Sequence, residues 1–72
     1  LMVKIREDDY VELEDVICTG QSASKLALSC IINGQRFWIP QSQIHDDSEV
    51  YKMCDRGTLV ITFWLAKEKG LV

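Results

Sequence analysis

In the stretch Asn33-Gly34-Gln35-Arg36-Phe37-Trp38-Ile39-Pro40-Gln41-Ser42-Gln43-Ile44 a turn, a strand and a strand terminator follow one another without a break. Both central residues of a type I′ hairpin turn need positive φ, and Asn and Gly tolerate it. Lys25 to Ile32, just before the turn, alternates with period two. Leu26, Leu28, Cys30 and Ile32 share one face of that strand, and Ala27, Ser29 and Ile31 share the other. A two-residue turn then predicts the pairs Ile32–Gln35, Ile31–Arg36, Cys30–Phe37 and Ser29–Trp38. Phe37 and Ile39 join the core side. Arg36 and Trp38 lie on the opposite side, beside Ala27, Ser29 and Ile31. Pro40 has no N–H to give a ladder and ends the strand. Gln41 to Ile44 reads as one tight helical turn that tucks Ile44 inward.

Working outward, Val3 and Ile5 begin a short strand, and Tyr10 to Glu14 alternates with Val11 and Leu13 on one face. The period slips at Asp15-Val16, which predicts a bulge that re-aims Ile17 and Cys18. Thr19 to Ser22 and Asp55 to Gly57 carry turn chemistry. His45 to Ser48 reads as a polar loop, Ser48 to Cys54 as a weak strand, and Thr58 to Ile61 as a β-branched strand. At the C-terminus Thr62 is the expected N-cap of a helix over Phe63 to Lys69. Gly70 is its left-handed C′ residue, and Leu71 packs back on the last turn. Trp64 is expected in the core. The chain thus predicts one mainly-β domain over residues 1–72, a small barrel of the SH3-like or OB-like kind. It would have four to five antiparallel strands and a short C-terminal helix.

Composition narrows the function classes. The chain has 72 residues, 47% of them hydrophobic, enough for a core. A chain this short buries only about 60% of its unfolded surface, so a homodimer or higher oligomer is a natural expectation. No apolar run is long enough to span a bilayer and no leader pattern is visible. Met2 reads as the native start, which would make the chain a complete small gene product. Cys18, Cys30 and Cys54 are odd in number and widely spaced, unlike a zinc ribbon or redox motif. Cys18 and Cys30 fall in apolar patterns, where thiols pack as small hydrophobes.

The net charge is −3, and residues 7–15 hold Glu7, Asp8, Asp9, Glu12, Glu14 and Asp15 with no Lys or Arg. That balance disfavours a duplex nucleic-acid binder. It suits a face for a partner with a basic surface. The sole histidine, His45, lies among Asp46, Asp47 and Glu49, but the spacing is not that of a calcium loop. No glycine-rich phosphate cradle is present. Neither a catalytic residue, nor a metal ligand, nor a cofactor is assigned. Binding is expected instead at Arg36, Trp38, Gln41 and Gln43, since Trp and Arg dominate interface hot spots and a flat ring can stack on a base. Glu12, Glu14 and Asp15 supply the acidic part. The hairpin parity leaves two fates open for Trp38: a surface anchor, or a core residue roofed by barrel closure.

Phe37-Trp38-Ile39-Pro40-Gln41-Ser42-Gln43-Ile44, Gly57-Thr58-Leu59-Val60-Ile61 and Trp64-Leu65-Ala66-Lys67 with Gly70-Leu71 together resemble a family of small uncharacterised bacteriophage and prophage proteins. The shared pattern is a Trp-Ile-Pro-x-Ser strand end, a Gly-led strand and a closing helix. Thr62-Phe63 departs from it, in a place where the family has Pro or an acidic residue. No catalytic residue comes with the resemblance. It implies a phage accessory protein in bacterial cytoplasm. The leading expectation is a non-enzymatic inhibitor of a host protein, of the anti-defence or anti-CRISPR type, whose acidic face mimics nucleic acid. Two alternatives stand beside it: an oligomeric sponge for a nucleotide immune signal, and a single-stranded nucleic-acid accessory of phage replication or recombination.

Overall fold

Asn33 and Gly34 take φ of 52° and 78° in the computed structural model, which describes residues 2–72. This is the type I′ geometry that the dipeptide favours. It joins strands Ala27–Ile32 and Gln35–Pro40, which pair in the expected register, from Ile32–Gln35 through Cys30–Phe37 to Ser29–Trp38 and on to Ala27–Pro40. In chain order the strands are β1 (Val3–Ile5), β2 (Tyr10–Gln21), β3 (Ala27–Ile32), β4 (Gln35–Pro40) and β5 (Arg56–Thr62), and helix α1 (Phe63–Glu68) follows directly. All five strands form one antiparallel sheet. The path β1-β2-β3-β4 is hydrogen-bonded in sequence, and β5 pairs with the remaining edge of β2.

The long β2 organises the domain. Its first half pairs with β1 (Val3–Leu13 to Ile5–Val11) and its second half with β3 (Ile17–Ile31 to Gln21–Leu28), while β5 runs along the other side. Two bulges bend it. One lies between Leu13 and Val16, where Asp15 takes φ 58°, at the predicted slip of period. The other lies between Cys18 and Gly20. The bends let the sheet roll, and Ile44 bridges to Ile61 across the free edge of β5. His45 N–H donates to Val60 O (2.8 Å) and Glu49 N–H to Thr58 O (2.8 Å), so residues 44–49 cover that edge without forming a ladder. The architecture is mainly β with five antiparallel strands and a short C-terminal helix, as expected, and the sheet is rolled but open.

The core gathers the inward positions: Val11, Leu13, Val16 and Cys18 of β2, Leu28, Cys30 and Ile32 of β3, Ile39 of β4, and Leu59 and Ile61 of β5. Ile44, Val50, Leu65, Ala66 and Leu71 close it, with Phe37 and Phe63 packed at its margin. The helix ends carry the predicted chemistry. Thr62 Oγ1 accepts from Leu65 N–H (3.2 Å). At the C-terminus Leu71 N–H reaches Ala66 O (2.8 Å) and Gly70 N–H reaches Lys67 O (3.1 Å), with Gly70 at φ 75°. These two bonds make a Schellman motif that satisfies carbonyls left over by the last turn.

Five local expectations are corrected. Residues 48–54 are irregular rather than a strand, because Ser48 and Asp55 side chains take the hydrogen bonds that a ladder would use. Thr19 to Gln21 continues β2, and the turn falls at residues 22–26. Asp55 to Gly57 is not a turn; β5 begins at Arg56, and Cys54, at φ 74°, carries the reversal before it. Leu26 precedes β3 and is 72% exposed, outside the core pattern. Trp64 is 63% exposed, because α1 buries only Leu65 and Ala66.

Candidate functional site

The outer face of the sheet is built by registers across four strands. Arg36 on β4 stands opposite Ile31 on β3, Ile31 opposite Ile17 on β2, and Ile17 opposite Arg56 on β5. Directly opposed residues project to one side of a sheet. The row therefore reads Arg–Ile–Ile–Arg, with strands about 4.8 Å apart. Ile17 and Ile31 are half-buried, and both arginines are exposed.

Trp38 sits one step along β4 on the same side, paired with Ser29. It is 43% exposed, so barrel closure does not roof it. The Arg36 guanidinium lies 5.5 Å from its ring centroid, within cation–π range. Beneath it Ser29 is buried and its hydroxyl accepts from Thr19 Oγ1 (2.9 Å). Thr19 is available there because the Cys18/Gly20 bulge inserts it.

The acidic candidates divide. Glu12 and Glu14 alternate with the buried Val11 and Leu13 and so face outward, and Asp15 is lifted by the first bulge. Glu12 lies 3.7 Å from Arg6, which also binds Asp8 (2.7 Å) and Asp47 (3.1 Å). Arg6 thus compensates part of the acidic run. Partial desolvation pushes the Asp8 carboxyl upward, but the Arg6 hydrogen bond and charge outweigh it and hold the group below the usual carboxylate range. Glu14 and Asp15 are exposed and border a groove of about 340 Å³ shared with Met2, Ile17, Ile31, Asn33 and Gly34. This groove joins the acidic end of β2 to the Arg–Ile–Ile–Arg row.

Gln41 is anchored through its backbone, and Gln43 through its side chain. Gln41 N–H donates to Leu26 O (2.9 Å), and Gln43 Oε1 accepts from Thr62 Oγ1 (2.9 Å), which ties the 3-10 turn Gln41–Gln43 to the helix cap. Of the residues singled out from sequence, Arg36, Trp38, Glu14 and Asp15 lie on or beside this face, and the cross-strand registers bring Ile17 and Arg56 to it. The hairpin parity placed Ile31 beside Trp38. Nothing local could carry the register across the Cys18/Gly20 bulge of β2.

His45 is not a free loop residue. Its ring meets Tyr10 edge-on at 4.6 Å, and its Nδ1 accepts from Asp47 N–H (2.9 Å). Among the described residues no Ser, Thr or Cys side chain hydrogen-bonds to it. Nor do the described residues hold a group of three His, Cys, Asp or Glu placed to bind a metal ion. No helix among them is long and apolar enough to cross a membrane. The outer face offers an aromatic anchor, two guanidinium groups, an apolar groove and a carboxylate border. No protein-family model matches the chain, and neither does any curated protein or solved structure.

Proposed function

We propose that the chain is a non-enzymatic binding protein that docks on a protein partner through the outer face of β2, β3 and β4. One observation carries the reading: the groove in which Glu14 and Asp15 adjoin Ile17 and Ile31, next to the Arg36–Trp38 stack. A nucleic-acid strand following Arg36 and Trp38 would meet two carboxylates at the groove, where its phosphates are repelled. A protein surface meets such a mixture readily, with Trp and Arg as anchors and charges around them. The partner's contact surface is then apolar, with a basic flank opposite Glu14 and Asp15. In the phage setting that the Trp-Ile-Pro-x-Ser and closing-helix residues suggest, the partner is a host protein in the bacterial cytoplasm and docking inhibits it.

The test is capture from host lysate with three proteins side by side: the native chain, Trp38→Ala, and Glu12→Lys/Glu14→Lys/Asp15→Lys. A partner that copurifies with the native chain and is lost with both variants supports the reading. A partner retained by both would sink it. The Arg36–Trp38 stack also favours a second reading, a nucleotide sponge with the base on Trp38 and a phosphate on Arg36. Thermal shift with cyclic nucleotides separates the two. A stabilisation that disappears in Trp38→Ala selects the sponge, and no shift leaves the protein partner.

A further inference from the structure

Cys18 on β2 and Cys30 on β3 are directly opposed across the ladder, and both are fully buried. Opposed residues project to the same face, so the two thiols meet inside the core. Their pair is of the non-hydrogen-bonded kind. Cys18 directs both backbone groups to the other side of β2: its N–H donates to Asp55 O (2.9 Å), and its carbonyl accepts from Cys54 N–H (2.9 Å). Such pairs hold their Cα atoms about 4.5 Å apart, inside the span of about 4.4–6.8 Å that a disulfide bridges. Two independent features deliver this alignment. The Asn33-Gly34 turn sets the inward parity of β3, and the Leu13/Val16 bulge turns Cys18 inward on β2.

The packed pair is slow to react. Burial and the adjoining Cys18 push the Cys30 thiol up to about 12, and the Cys18 thiol donates to Gly20 O (3.3 Å). The ladder is nevertheless interrupted directly beside the pair, at the Cys18/Gly20 bulge. An interrupted ladder is where local opening costs least, and it is the route by which an oxidant would reach Cys18. Cys54 is the exposed thiol, on the segment bonded to the outer edge of Cys18.

We infer that Cys18 and Cys30 form a dithiol site for oxidative modification, which a disulfide-type oxidant closes into a cross-strand disulfide. With glutathione disulfide, the Cys18 thiolate attacks one sulfur and expels one glutathione thiolate. The Cys30 thiolate then attacks the Cys18 sulfur and expels the second. Two protein thiols become one disulfide, the oxidant's S–S bond becomes two thiols, and the two cysteine protons end on glutathione. The product ties β2 to β3 beneath the Ile17–Ile31 pair and needs no change of register.

The experiment uses folded Cys54→Ser protein incubated with glutathione disulfide, freed of the oxidant, then unfolded in urea, alkylated with iodoacetamide and weighed intact. The expected product is about 2 Da lighter than the reduced chain, as one S–S bond requires. It carries neither glutathione nor alkyl groups, and its urea midpoint rises and returns on treatment with dithiothreitol. The native chain should give the same bridge, plus one glutathione on Cys54. A lasting glutathione adduct on Cys18 or Cys30 overturns the inference. So do two alkylated cysteines after prolonged incubation, a bridge that includes Cys54, or an oxidised form with a lower urea midpoint.

Discussion

The β3–β4 hairpin and residues 44–55 flank the same core but are ordered by different means. In the hairpin the backbone satisfies itself: six consecutive cross-strand pairs run from a two-residue turn, and side chains are left to choose a face. In residues 44–55 side chains satisfy the backbone. The buried Ser48 hydroxyl accepts from Val50 N–H (3.2 Å) and Val60 N–H (3.2 Å) and donates to Val50 O (3.1 Å). The Asp55 carboxylate accepts from Tyr51 and Lys52 N–H (2.9 Å each), and Glu49 accepts from Thr58 N–H (2.8 Å). Repetition makes the first kind of order robust, since one weak contact is backed by its neighbours. The second kind concentrates on single atoms and is correspondingly brittle.

That contrast can be broken most directly at Ser48. Ser48→Ala strands two buried N–H groups and should lower stability by on the order of 3 kcal/mol, read as a fall in the urea midpoint. A cost under that of a hairpin-turn substitution would dissolve the distinction. Next comes Gly57→Ala. A Cβ at Gly57 would stand 2.6 Å from Glu49 Oε1, on a residue at φ 149°. The loss should be about 2 kcal/mol from backbone strain and displacement of Glu49. Gly34→Ala, with φ 78° and open space around it, meets only the left-handed penalty of about 1 kcal/mol. Thermal melts of the two glycine variants should therefore separate, with Gly57→Ala the lower.

Smaller still is the stability effect of Trp38→Ala, expected within about 0.5 kcal/mol because the ring lies on the surface. Partner binding should nevertheless fall at least tenfold, the mark of a residue kept for contact rather than packing.

A pH titration sharpens the comparison with the least perturbation. Hydrogen bonds from the Tyr51 N–H, then from the Lys52 side chain and N–H, hold the Asp55 carboxyl below its ordinary value. A lowered folded-state value means that its stabilisation is complete above the unfolded carboxylate range and fades as pH falls through the folded value. Protection factors for amide exchange at Tyr51 and Lys52, taken relative to the intrinsic rate at each pH, should therefore fall in acid before those in β3 and β4 do. Simultaneous loss of protection in both regions would argue against independent ordering.

The same contrast explains what could be read from the residues alone. Hairpin register, the Asp15 bulge, the Thr62 cap and the Gly70-Leu71 helix end were all legible, because each is decided by residues a few positions apart. Residues 48–54 read only as a weak strand from their own composition, and they form none. The Ser48 hydroxyl that replaces the ladder becomes available only when the chain crosses β5.

Within the candidate face, Arg36 and Trp38 were legible for the same local reason: a turn of known length fixes parity on both of its strands. Ile17 and Arg56 were not, since the Cys18/Gly20 bulge stands between Ile17 and that turn and Arg56 joins only through its long-range pairing with Ile17. Sequence by itself determined which backbone segments turn, alternate and cap, as these are short-range properties of φ and hydrogen-bond donors. Tertiary structure alone decided which apolar residues are covered. Leu26 and Trp64 stay in solvent while Cys18 and Cys30 meet in the core, because burial depends on what the rest of the chain lays over a position.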